Sequence, residues 1–248
     1  MGNQIEHSIR TAIAHRPRLT AECRSLAIEL HPDVLVLDGK VETIAAKRQL
    51  VLLAARNGGG LGVLDRVRVE AATAREDAEI AIDLLDALAQ ESILKDYRIQ
   101  ILPGDAEPTS VAPTSDDTST IGVTVREGTA RLEGTVAMLL HRRLAEVLCW
   151  WIPGTTNVDN HLYVMPSAPD SDQEITDAIR TALDKDPWLD ASLLRVSTHD
   201  REVKLAGALP NNAQCQRAES DAWYVRGVHG VMNKIEIEPL PATRQQQS

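Results

Sequence analysis

Histidines, cysteines and a run of glycines are the residues of this chain whose types could do chemistry. The seven histidines, His7, His15, His31, His141, His161, His199 and His229, could ligate a metal or move a proton near neutral pH. None stands in HxxxH or HExxH spacing, so no helical face presents two of them to one ion. Cys23, Cys149 and Cys215 are odd in number, far apart and without a CxxC pair. That disfavours a disulfide framework and a zinc site, and they read as buried free thiols in a reducing compartment. Gly58-Gly59-Gly60-Leu61-Gly62 looks like a phosphate loop. Such a loop follows a strand and opens a helix, whereas this run follows a helical pattern and precedes a strand. Helix termination is the better reading. There is no Gly-x-Ser-x-Gly elbow, and no carboxylate is isolated in an apolar run that would lift its pKa. The expectation is a protein that is not an enzyme and uses no cofactor or metal.

Two stretches could bind something. Cys149-Trp150-Trp151-Ile152-Pro153 closes a helical segment, with Arg142 and Arg143 about two turns earlier. Neighbouring helical residues diverge by about 100°, so Trp150 and Trp151 cannot both enter one small core. Tryptophan with arginine suits a membrane surface or a protein partner, and it equally suits packing between parts of the chain. The stretch 103–120, rich in Pro, Ser, Thr and Asp, has no periodicity and reads as a flexible acidic insertion. Asp105, Glu107, Asp116 and Asp117 could hold a cation weakly, but their spacing is not that of an EF-hand.

The elements that must position these residues recur three times. Gly39, Gly134 and Gly207 anchor the repeats. Two residues before each stands Leu37, Leu132 or Leu205, and two further back Leu35, Ala130 or Val203, the period of a half-buried strand. Twenty residues on come Gly59, Gly154 and Gly227, then Val63, Val158 and Val231, then Asp65, Asn160 and Asn233, without a gap. Trp223-Tyr224 repeats the place of Trp150-Trp151, which favours packing between repeats. Upstream of each anchor lies a helical stripe: Ile5, Ile9 and Ile13; Ile80, Leu84 and Leu88; Ile175, Ile179 and Leu183. Pro17 is expected to stop the first helix, and Ser171-x-x-Glu174 is a capping box for the third. Strands are expected at 26–30, 34–37, 63–69, 121–125 and 129–132, with the anchor glycine just after the second strand of its unit. Positive φ or close backbone approach would explain a glycine there.

The fold class expected is α+β. Three tandem αββαβ units each place two helices on one face of a small three-stranded mixed sheet. Their bounds are 1–71, 72–168 with the insertion 103–120, and 169–239, followed by a disordered tail at 240–248.

Ala182 to Leu189 reads Ala-Leu-x-x-Asp-Pro-x-Leu, Val203 to Leu209 reads Val-x-Leu-x-Gly-x-Leu, and Gly227 to Ile237 reads Gly-Val-x-x-Val-x-Asn-x-Ile-x-Ile. This resembles the BON domain, a small module of bacterial osmotic-stress-inducible and nodulation proteins, in three tandem copies. The third copy matches best. The second departs at its insertion and at 152–156, and the first at 57–62 and by carrying Asp65 where the family prefers Asn. The resemblance implies a non-enzymatic binding protein, stress-associated, acting in phospholipid or envelope association or in protein association. Trp150, Trp151, Arg142 and Arg143 are the residues on which such contact would rest. The alternative implied by the wider family is a cytoplasmic sensor or scaffold for a small ligand or potassium ion. Gly39, Gly134, Gly207, Gly59, Gly154 and Gly227 are expected to be architectural.

Composition bounds these readings. With 248 residues, 43% hydrophobic and 25% charged, the chain has the make-up of a soluble globular protein. Phe is absent, so the cores must be built from Leu, Ile, Val and Ala. A net charge of −10 opposes nucleic acid and, on average, anionic membranes. No apolar run approaches a membrane span, and the N-terminus has no apolar h-region. A cytoplasmic protein is expected, or a periplasmic one if a signal peptide has been removed.

Overall fold

Apolar residues two apart, between helical stripes, call for small sheets covered on one face. The computed structural model describes residues 2–102, 120–165 and 171–238. The first module runs α1 (Gly2–Ala14), α2 (Pro17–Glu22), β1 (Cys23–Leu30), β2 (Val34–Val41), α3 (Ile44–Asn57) and β3 (Gly62–Val69). The middle module runs α4 (Asp77–Gln90), β4 (Arg98–Ile101), β5 (Thr120–Arg126), β6 (Thr129–Val136), α5 (Leu139–Trp151) and β7 (Asn157–Val164). The third runs α6 (Asp172–Lys185), β8 (Leu194–His199), β9 (Glu202–Leu209), α7 (Asn212–Tyr224) and β10 (Gly230–Ile237).

The architecture is α+β, as the patterning predicts. Each sheet pairs an antiparallel hairpin with a third strand parallel to the hairpin's second strand. A parallel pair needs a long crossover, and the helix between the two strands supplies it. The sheet orders are β1-β2-β3, β4-β5-β6-β7 and β10-β9-β8. The middle sheet therefore has four strands rather than three. Part of the extra chain in that module forms β4, which lies parallel to β5. The expected insertion 103–120, apart from Thr120, lies outside the described residues, as does the expected tail.

The period-two residues face inward. Leu35, Leu37, Ala130, Leu132, Val203 and Leu205 are all buried, packed under the helical stripes led by Ile9, Leu84 and Ile179. Each large aliphatic side chain so buried contributes about 1.5–3 kcal/mol. Helix starts are capped locally: Thr43 accepts from the Ala46 N–H at 3.1 Å and Ser171 from the Glu174 N–H at 3.3 Å. Pro17 does not merely end α1; it opens the short helix α2 at N1, where its missing N–H costs nothing.

The anchor glycines lie inside the second strand, at the sixth of its eight residues, not beyond its end. Each pairs across the hairpin, Gly39 with Leu26, Gly134 with Ile121 and Gly207 with Leu194. Their φ values are 152°, 125° and 134°. A Cβ there would stand 2.0–2.1 Å from the carbonyl oxygen of Ser25, Thr120 or Leu193. Both positive φ and close approach thus demand glycine.

Met1–Asp170 form one compact body and Ser171–Ser248 another, so the first two modules pack together.

Candidate functional site

A polar assembly is built where the crossover helix meets the third strand. On β7, Asn160 donates from Nδ2 to the Arg142 carbonyl at 2.9 Å and to Glu146 Oε2 at 3.2 Å, both on α5. Its Oδ1 accepts from the Leu162 N–H at 3.1 Å. On β10, Asn233 repeats this with the Cys215 carbonyl at 3.0 Å, Glu219 Oε2 at 3.1 Å and the Ile235 N–H at 3.1 Å. One carboxamide thus ties strand to helix, and only a side chain with both donor and acceptor can do so.

The first module reaches the same junction by another route. Asp65 on β3 accepts from the Val67 N–H at 2.9 Å, but it has no N–H to offer α3. Lys47 of α3 fills that role, 2.7 Å from Asp65 Oδ2 and donating to the Val67 carbonyl. Burial pushes the Lys47 ammonium below its ordinary pKa, and Asp65 counters that shift. Where the other modules have a Glu, this helix has Val51. The departure from Asn is therefore matched by a compensating cation one helical turn away.

The same face of α5 also joins the first two modules. Buried Glu146 accepts from Arg48 Nη2 of α3 at 3.1 Å. Arg68 of β3 donates to the Glu127 carbonyl at 2.7 Å and to its carboxylate at 3.0 Å, and the Val69 N–H donates to the Thr156 carbonyl at 2.8 Å. Arg143, one turn before Glu146, is only 3% exposed, whereas its third-module counterpart Gln216 is exposed. Arg142 is half-buried and donates to the Asn160 carbonyl at 3.3 Å. Trp150 and Trp151 are both half-buried; Trp151 packs on the middle core and the Trp150 indole nitrogen is sealed from solvent. Trp223 is buried, and burial beside Asp221 pushes the neighbouring Tyr224 phenol up in pKa. Cys149 is buried, and burial with Glu146 nearby holds its thiol protonated far above the usual range.

One group of possible cation ligands lies in the third module: Asp172, His199 and Asp200, with ligand atoms within 4.8 Å of one another. Its inner carboxylate is already engaged. Asp172 accepts from the Asp200 N–H at 2.8 Å and the Arg201 N–H at 3.0 Å, and so clamps a hairpin turn whose φ values are 49° and 65°. Asp77 clamps the middle hairpin alike, through the N–H groups of Glu127 at 2.7 Å and Gly128 at 2.8 Å. These groups hold a turn, and no cation is needed to explain them.

A family model for the BON domain matches residues 111–166 and 171–239. The chain belongs to the BON domain family. The two matched segments hold the two Asn-to-Glu ties and leave the first module, with its Lys47–Asp65 pair, outside. No curated protein matches the chain. Among solved structures, CdsD, a structural protein of the type III secretion system of Chlamydia trachomatis, aligns at 15% identity over 94% of this chain and 92% of that one, with a TM-score of 0.25. A second structure, of the CdsD C-terminal domain, aligns at 15% identity over 96% of each chain, again at 0.25. At that score the overlays carry no inference about fold or function.

Within the three modules, sequence reasoning placed Gly59, Gly154 and Gly227 at helix ends, and there they have φ of 65°, 94° and 100°. It overlooked Glu146 and Glu219, although both precede their Asn by fourteen residues. It also overlooked Asp77 and Asp172, which occupy equivalent helix starts. Recurrence at a fixed offset was the available signal in both cases.

Proposed function

We propose that this chain is a non-enzymatic, stress-associated binding protein of the cytoplasm made of three BON copies, the first diverged, which acts by associating with a phospholipid or envelope surface or with a protein. The same strand topology and the same strand glycine in the first module support reading it as a third copy. Its Lys47–Asp65 pair supports divergence rather than a different origin.

The observation that carries the binding role is the exposure of large apolar side chains on the third module. Trp188 is 67% exposed, and Leu193, Met232 and Ile237 are exposed as well. Exposed tryptophan marks contact surfaces, since it gains much on burial. Of the two kinds of surface, a protein is favoured. The net charge of −10 opposes anionic lipid, Arg143 is buried, and Arg142 is engaged with Asn160. We assign Trp150, Trp151, Arg142 and Arg143 to bracing the first two modules. The buried polar groups support a binding role over catalysis, because they serve to join helix to strand and module to module. No helix among the described residues is long and apolar enough to cross a membrane.

Co-sedimentation with zwitterionic and anionic vesicles separates the branches. The expected result is no more than weak, salt-sensitive capture. Strong capture, lost in a Trp188→Ser variant, would move the reading to lipid.

A further inference from the structure

The outer edge of the first hairpin strand is treated differently in the three modules. In the middle sheet β4 lies along it, with Ile99 beside Ile121 and Ile101 beside Val123. Tyr97 and Ile99 pack against the middle core. Ile121 and Val123 are consequently sealed at 0% exposure. The third module passes from Leu189 to Leu194 with no such strand, and its edge is less well covered. Leu194, the counterpart of Ile121, is only half-buried, Val196 keeps 6% exposure, and Leu193 is 49% exposed. An extended segment thus covers this edge in the one module that carries its own, through Tyr97 and Ile99, while Ile101 stays 45% exposed.

We propose that β8 is the docking edge for an extended segment of a partner protein, which adds parallel to β8 in the register in which β4 adds to β5. Arg180 donates to the Val196 carbonyl at 3.2 Å, the acceptor equivalent to the Val123 carbonyl that takes the Leu102 N–H in the middle sheet, so the incoming segment displaces that guanidinium. Main-chain hydrogen bonds then supply affinity and alternate side chains supply selectivity. The occupant sets aliphatic residues beside Leu194 and Val196. The residue between them faces Arg195, which is exposed and stands where Gly122 lies opposite Gln100 in the middle sheet. Opposite charges across a strand pair attract, so an acidic residue fits that place. The first module is a poorer host. Its edge strand is irregular between Cys23 and Ser25, and Ala27 takes the position of Arg195. The proposal rests on the protein-association branch of the function above and names the kind of partner.

The test uses the full chain and capped synthetic peptides of residues 97–102, Tyr-Arg-Ile-Gln-Ile-Leu, unchanged or carrying Gln100→Glu or Gln100→Lys. Amide hydrogen exchange is followed at residues 194–199. Exchange there is expected to slow with peptide concentration, with the Gln100→Glu peptide binding about two- to fivefold tighter than the unchanged one and the Gln100→Lys peptide weaker. In an Arg195→Glu chain, a surface change that leaves the core intact, the order of the two charged peptides is expected to reverse. Three results would overturn the proposal: no protection at 194–199 with any peptide, protection confined to 23–30, or protection without peptide that grows with protein concentration, which would mean that a second copy fills the edge. The outcome with vesicles is independent, so failure here and failure of the association reading are distinguishable.

Discussion

Asn233 Nδ2 lies 3.1 Å from Glu219 Oε2, and Asn160 stands 3.2 Å from Glu146 in the same relation. Each Asn lies fourteen residues beyond its Glu, across the turn between helix and final strand. Two modules in different compact bodies therefore use one device to fix the crossover helix on its sheet.

Replacing Asn233 by Asp should destabilise the third module more than replacing it by Ala. Alanine loses hydrogen bonds worth about 1–3 kcal/mol where their partners stay buried. Aspartate loses the donor and also sets a second carboxylate against Glu219. Urea unfolding monitored by Trp223 fluorescence reads both. Equal losses at pH 7 would show that the Glu219 contact contributes nothing.

In the first module the order of sensitivities is reversed. Asp65→Asn should cost about 3 kcal/mol, because it leaves the buried Lys47 ammonium without its carboxylate. Lys47→Met should cost less, because Asp65 retains the Val67 N–H and more solvent. A double-mutant cycle gives the coupling. A value near zero would remove the compensating role assigned to Lys47.

Gly207→Ala should cost on the order of 3 kcal/mol or more, since its Cβ would lie 2.1 Å from the Leu193 carbonyl oxygen in a strand that cannot yield without losing register. Gly60→Ala is the control. It too has positive φ, but nothing lies within 4 Å of its Cβ, so only the backbone preference, about 1 kcal/mol, is lost. Chemical denaturation of the two variants distinguishes steric conflict from conformational preference.

The Tyr97 hydroxyl accepts from the Ala137 N–H at 2.8 Å and lies 2.7 Å from His141 Nδ1. Burial holds the His141 pKa below its ordinary value, so the folded chain favours the neutral imidazole. The contribution is therefore complete above about pH 6.5 and is lost as pH falls from there toward the depressed folded value. Thermal melts between pH 7.5 and 5 should show this slope in the parent and a shallower one in His141→Asn. Tyr97→Phe should lower stability at neutral pH by about 1 kcal/mol. An unchanged slope in His141→Asn would assign the effect elsewhere.

Local sequence sufficed for the αββαβ order and the buried strand faces, because a period of two or 3.6 residues reports which side of an element meets a core. It sufficed too for the need for glycine at 39, 134 and 207, since three recurrences at one offset point to a shared backbone demand. The position of that glycine inside the strand was not legible. Its conflict is with a carbonyl on the neighbouring strand, and that neighbour exists only after pairing.

The other differences have the same origin. β4 is four residues long, with Pro103 two residues beyond its end, too short to show a pattern. It is a strand because β5 offers it an edge. In the sequence, Trp150 and Trp151 with Arg142 and Arg143 suited either an outside partner or packing between repeats; the first module turns the Arg143–Glu146 side of α5 into an interior through Arg48. The pairing of Lys47 with Asp65 spans eighteen residues and two kinds of element, and no periodicity encodes it. Periodicity carries what each element buries; which element it is buried against is decided by long-range packing.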